Sequence, residues 1–192
     1  VTVVDNTGSV TLSKSGTAAY AVTDVARFTY TTVTSQSAAD MMATITDADN
    51  DFYFVACSDH SQAFVLALSQ DIQARTKQYW VSTQEQADLA VYSESATDTP
   101  SQLKQEVRDR TFYWFHHDAD TKFPEMEYIS ILAPYDAGKK VVANNTTKIE
   151  AARNPLTGNY LNTTDKTNLV NKNGSFTEVV GGVAITRQGS SS

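Results

Sequence analysis

Three short runs hold most of the residues that could do chemistry: Cys57-Ser58-Asp59-His60, Ser82-Thr83 and His116-His117-Asp118, with Asp120 just beyond. Together they offer a thiol, hydroxyls, imidazoles and carboxylates, the groups from which nucleophiles, bases and metal sites are made. Cys57 with His60 would be a thiolate nucleophile and its base. The same cysteine closes an apolar run, where a free thiol is usually a small hydrophobe. Asp59, His116, His117 and Asp118 would be the ligands of a metal-assisted hydrolase. Adjacent residues of a strand face opposite ways, so His116 and His117 reach one metal only if the strand ends before them. The sequence has no His-Glu-x-x-His helix and no paired cysteines. Ser58, Asp59 and Ser61 serve equally well as caps of a following helix.

The elements that must position these residues can be read from periodicity. Ser37 caps a predicted helix with Ala38, Met41, Met42 and Ile45 on its apolar face. Phe52-Tyr53-Phe54-Val55-Ala56-Cys57 reads as a strand buried on both faces. A helix then turns Phe64, Val65, Leu68 and Ile72 inward. Gln78-Tyr79-Trp80-Val81-Ser82 is the next strand, and Thr83 with Gln86 resembles a capping box for a short helix carrying Leu89. Thr99-Pro100 opens a helix presenting Leu103 and Val107. Thr111-Phe112-Tyr113-Trp114-Phe115 is another apolar strand, and Pro124 starts a helix with Met126, Ile129 and Leu132, closed by Pro134 and Gly138. This alternation predicts an α/β fold, mixed α+β overall, with a largely parallel sheet flanked by helices over residues 35–138. In such sheets a ligand site lies at the carboxyl ends of the strands, where the three runs fall. Residues 1–34 read as strands with hairpin chemistry at Asp5-Asn6-Thr7-Gly8. Residues 139–192 are rich in Asn and Thr, with strand candidates at Val141-Val142, 176–180 and 183–186 and no long helical pattern. They are expected to pair with 1–34 as a β-rich part beside the α/β domain.

Composition narrows the function. The 192 residues carry 15 basic and 22 acidic side chains, a net charge of -7 that argues against duplex nucleic acid as a partner. Charged residues make up 19%, below the roughly 25% of an average domain. No apolar run approaches the roughly 20 residues of a membrane span. One cysteine excludes an internal disulfide framework. No glycine falls between Gly16 and Gly138, so the central segment has no phosphate-cradling loop, dinucleotide fingerprint or Gly-x-Ser-x-Gly elbow. No cofactor is expected. The aromatic runs lack basic neighbours, which points to core packing rather than base stacking. The chain opens at Val1 without a signal peptide and closes on Gly189-Ser190-Ser191-Ser192, so both ends read as cut from something longer.

The strand segments carry a resemblance. Asp51-Phe52-Tyr53-Phe54-Val55-Ala56-Cys57-Ser58-Asp59-His60, Lys77-Gln78-Tyr79-Trp80-Val81-Ser82-Thr83 and Arg110-Thr111-Phe112-Tyr113-Trp114-Phe115-His116 resemble the central part of contractile phage tail sheath proteins. Tyr128-Ile129-Ser130-Ile131-Leu132-Ala133-Pro134-Tyr135-Asp136-Ala137-Gly138, Leu169-Val170-Asn171-Lys172-Asn173-Gly174-Ser175-Phe176 and Gly182-Val183-Ala184-Ile185-Thr186-Arg187-Gln188-Gly189 continue it in order. The segment 141–147 departs from the pattern, which has a tryptophan-bearing strand there. The resemblance implies a structural virion protein rather than an enzyme, with no catalytic, cofactor or metal site. Its partners would be other sheath subunits and the tail tube, and its place the phage tail. In that family the middle of the chain forms outer domains, while extended terminal arms link neighbours by strand addition. A fragment without the arms is expected to be a monomer. The metal-assisted hydrolase built on Asp59, His116, His117 and Asp118 is the alternative. A third reading makes the Asn/Thr-rich region a glycan-binding surface.

Overall fold

The computed structural model describes residues 2–3, 10–11, 36–135 and 144–187. The chain divides into two compact units, Val1–Ser35 and Gln36–Ser192. In the first, strands β1 (Thr2–Val3) and β2 (Val10–Thr11) pair antiparallel, Thr2 opposite Thr11 and Val3 opposite Val10. The connection at residues 5–8 and the strand expected at 26–33 lie outside the described residues.

The second unit is an α/β fold around one five-stranded sheet: β3 (Phe54–Val55), β4 (Gln78–Thr83), β5 (Thr111–Phe115), β6 (Ser175–Val180) and β7 (Val183–Arg187), side by side in chain order. The first four run parallel and β7 returns antiparallel. Period-2 alternation sorts the side chains of the central strands between two faces. Tyr79, Val81, Tyr113, Phe115 and Phe176 enter the main core. Helix α1 (Ala38–Ala48), α2 (Gln62–Gln73), α3 (Thr99–Gln105) and α6 (Thr163–Asn171) add to that core through Met42, Val65, Leu68, Ile72, Leu103 and Leu169. On the opposite face Trp80 and Trp114 form a smaller cluster with Tyr128 of α5 (Pro124–Leu132). The one-turn helix α4 (Ala119–Lys122) precedes α5.

Most of the predicted elements are present, and the departures have local causes. Strand β3 is two residues long and pairs only with β4, so Tyr53 is 48% exposed and the run 52–57 is not buried on both faces. Lys77 is buried there, its ammonium donating to the carbonyls of Asn50 at 2.8 Å and Phe52 at 2.6 Å. Ser37 caps α1 as expected, accepting from the Asp40 N–H at 3.1 Å, but Ile45 remains exposed. Thr83 ends β4 instead of capping a helix, and Gln86–Leu89 is a single 3₁₀ turn that buries Leu89. The cap of α3 is Asp98, which accepts from the Ser101 N–H at 3.2 Å. That helix stops at Gln105, and Val107 takes φ +52° and faces solvent. In α5 the residue driven into the core is Tyr128, while Met126 is exposed.

The largest correction concerns 139–192. This region has a helix, α6, whose capping box joins Asn162 and Asp165. Its strand β6 lies against β5, with Trp114 opposite Ser175 and Phe115 opposite Phe176. Residues 144–187 therefore complete the α/β sheet instead of forming a separate β-rich part. The physical reason is that β5 would otherwise be an edge with its buried aromatics uncovered. Val141-Val142 lies outside the described residues. The β6–β7 connection is Gly181-Gly182, both at positive φ (+60° and +82°), the conformation that a two-residue hairpin turn requires. Among the described residues, no helix is long and apolar enough to cross a membrane.

Candidate functional site

Parallel pairing brings the ends of β3, β4 and β5 to one rim of the sheet, and the residues that could do chemistry sit in the segments leaving it. They do not form the groupings expected of them. Cys57 is half-buried and packs on the main core. Asp59 accepts the Ser61 backbone N–H at 3.0 Å, and the hydrogen bonds of Ser61 hold its carboxyl below the usual range. Ser61 occupies the cap position of α2, although its own side chain makes no cap hydrogen bond.

Strand β5 ends at Phe115, so the rings of His116 and His117 do come together, their centroids 4.5 Å apart. Their nitrogens are already occupied. His116 Nδ1 accepts the Asp118 N–H at 3.1 Å and its Nε2 lies 3.3 Å from the Glu150 carbonyl. His117 Nδ1 accepts the Arg153 N–H at 3.3 Å and its Nε2 lies 3.5 Å from Glu150 Oε1. An acceptor role at Nδ1 places the proton on Nε2 in both rings, which is the neutral imidazole. Burial, and for His116 the neighbouring His117, push both below the ordinary value, in agreement with that assignment. These two histidines tie the loop 150–153 to the end of β5. Among the described residues, no group of three or more His, Cys, Asp or Glu side chains could hold a metal ion. Asp59, His116, His117 and Asp118 are thus not placed as metal ligands, and the site of the metal-assisted hydrolase is not assembled.

A different cluster forms at the same rim. His60, with only 4% of its side chain exposed, stands between two carboxylates: Nε2 is 3.1 Å from Glu125 Oε1 and Nδ1 is 2.9 Å from Asp120 Oδ1. Glu125 is buried and accepts the Ser82 hydroxyl at 2.5 Å. Gln84 donates to Asp120 Oδ2 at 2.9 Å. The cluster joins the β3–α2 loop, the end of β4, α4 and the first turn of α5. Beside it lies an open cleft of about 520 Å³, with Cys57 and Ser58 on one side and Lys122, Phe123, Glu125 and Met126 on the other. Phe123 connects α4 to α5 in the left-handed region (φ +44°, ψ +59°), where a bulky residue is an outlier. Glu125 carries no signal of this role in the sequence, because an acidic residue just after Pro124 reads as an ordinary first-turn partner of the helix dipole.

A second buried polar group lies nearer the core. Asp88 Oδ2 accepts the hydroxyls of Thr83 and, at 2.9 Å, of Tyr113. Burial pushes its carboxyl up to about 6, against the two hydroxyl donors that lower it. Lys172 and Asp98 form a buried ion pair at 2.9 Å. Of the aromatic residues expected in the core, Tyr79, Trp80, Tyr113, Trp114 and Phe115 are buried and Phe52, Phe54 and Phe112 partly so, whereas Tyr53 is exposed.

No family model, curated protein or solved structure matches this chain.

Proposed function

We propose that this chain is the outer, middle domain of a contractile phage tail sheath subunit, whose work is packing and docking rather than chemistry. The observation that carries the reading is that the three segments resembling the central part of sheath proteins become β3, β4 and β5, adjacent and parallel in one sheet. Their aromatic residues other than Tyr53 pack on the two cores, as a rigid building block needs. The strand-end histidines on which a hydrolase would depend are bound to backbone and carboxylate groups of their own chain. The β6–β7 hairpin also presents Val179, Val180 and Val183, each 47% exposed, at its tip, an apolar surface of the kind that a neighbouring subunit covers.

Immunogold electron microscopy tests the proposal on the phage that carries this sequence, with antibodies raised against the chain. Label repeated along the whole tail is the expected result. Label confined to another part of the virion, or purified tails free of the protein, overturns the proposal.

A further inference from the structure

Both ring nitrogens of His60 face carboxylate oxygens, and an ionised carboxylate only accepts hydrogen bonds. A neutral imidazole has one N–H, so it satisfies one of the two contacts and sets a lone pair against an oxygen in the other. The imidazolium has two N–H groups and satisfies both. We propose that His60 is a proton-dependent latch: protonated, it donates to Glu125 and Asp120 together and clamps α4 and α5 to the rim of the sheet, and deprotonated, it releases Asp120 and the α4 wall of the cleft.

The geometry decides which contact opens. Glu125 is 1% exposed and, among the described residues, its donors are Ser82 and His60, so it retains the remaining N–H at Nε2. Asp120 is 55% exposed, so water solvates its Oδ1 when the contact breaks, while Gln84 still donates to its Oδ2. The proton therefore leaves Nδ1 for bulk water, and the lone pair left there repels Asp120 Oδ1. The part freed is the single turn of α4. Its junction with α5 is Phe123, held in its left-handed conformation with its ring edge-on to His60 at 5.5 Å between centroids. Lys122 and Phe123 line the cleft, so release of α4 alters its wall.

The charged groups around His60 are few. Glu125 faces it from α5, Asp120 from α4 and Asp59 from its own loop, while β4 contributes the uncharged Ser82, and Gln84, just past the strand, is uncharged as well. Burial opposes the charge on His60, but Glu125 and Asp120 outweigh it and raise the imidazole above 6.5. A group raised on folding contributes its stabilisation fully below its unfolded value and loses it as the pH rises through the folded one. The latch is thus closed below pH 6.5 and opens at a higher pH.

The whole chain provides its own reporters. Of its three histidines, His60 is assigned by the contact of its ring with that of Phe123 and by the signal lost in His60→Gln. The backbone amides of α4 (Ala119–Lys122) report on the part that is released. The experiment is a pH titration from 5 to 9, following the imidazoles and those amides by NMR. The His60 ring should titrate above 6.5, with a coincident step in the α4 amide shifts. His60→Gln should abolish the step, and Asp120→Asn should move it down by about one pH unit. Should His60→Gln not fold, the wild-type titration and Asp120→Asn decide the matter. A His60 that titrates at or below 6.5, α4 amide shifts that stay flat across the titration, or a step unchanged in His60→Gln or Asp120→Asn overturns the proposal. None of this rests on the sheath reading.

Discussion

Asp88 makes stability depend on pH in the direction opposite to that of most carboxylates. Its side chain is buried beside Thr83 and Tyr113, and burial moves it from 3.8 to about 6. Between those values the folded state holds a proton that the unfolded state has lost, so stability falls as the pH rises. At about 1.4 kcal/mol per pH unit, that interval is worth about 3 kcal/mol between pH 4 and pH 7. Other carboxylates titrate in the same range, so the measurement is a difference. Urea denaturation of the wild type and of Asp88→Asn is compared at each pH. The asparagine carbonyl can accept from the same two hydroxyls and carries no charge. Any pH-independent cost of its amide cancels in the slope. The wild type should lose about 3 kcal/mol relative to Asp88→Asn across the interval, as an order of magnitude. Tyr113→Phe removes one donor and should extend the loss to higher pH. A difference that is flat from pH 4 to 7, or that grows in favour of the wild type, refutes the assignment of a buried carboxyl with little compensation.

Three further changes test other parts of the fold. Lys172→Met leaves Asp98 buried without its cation and should cost about 3–5 kcal/mol in urea denaturation, partly recovered by adding Asp98→Asn. Tyr128→Phe removes a fully buried hydroxyl that has no hydrogen-bond partner among the described residues, so it should be neutral or stabilise by up to about 1 kcal/mol, read as a change in urea midpoint. Asn162→Ala breaks the capping box of α6 and should cost about 1 kcal/mol, seen as faster amide exchange in the first turn of that helix.

Local signals proved reliable where one element makes its own case. Helix α2 has apolar residues at spacings of three and four, and Val65, Leu68 and Ile72 are all buried. The aromatic runs at 79–81 and 112–115 could only be strands of a covered sheet, because so many rings need two faces to bury them. Helix α6 was hidden by its composition: its mostly polar residues carry one deeply buried side chain, Leu169, and its start is set by a cap of Asn162 and Asp165. Ile45 fits the apolar period of α1 but is exposed, and Val107 fits that of α3 but lies past its last residue, Gln105, where the backbone has left the helix.

The sequence by itself determined the α/β class, the strands β3, β4 and β5 and the absence of a glycine-built phosphate loop between Gly16 and Gly138, since periodicity and residue type act within a few neighbouring positions. Tertiary structure alone decided that β6 closes the sheet against β5, because strand pairing joins residues some 60 positions apart (Trp114 with Ser175) without a local mark. It alone decided the chemistry at the strand ends as well. His116 and His117, adjacent in sequence, are fixed as neutral rings by the backbone of 118 and 153. His60 meets Glu125, 65 positions away, because two separate turns bring them to one buried spot. A proton's position depends on the donors and acceptors within about 3 Å, and the fold sets those.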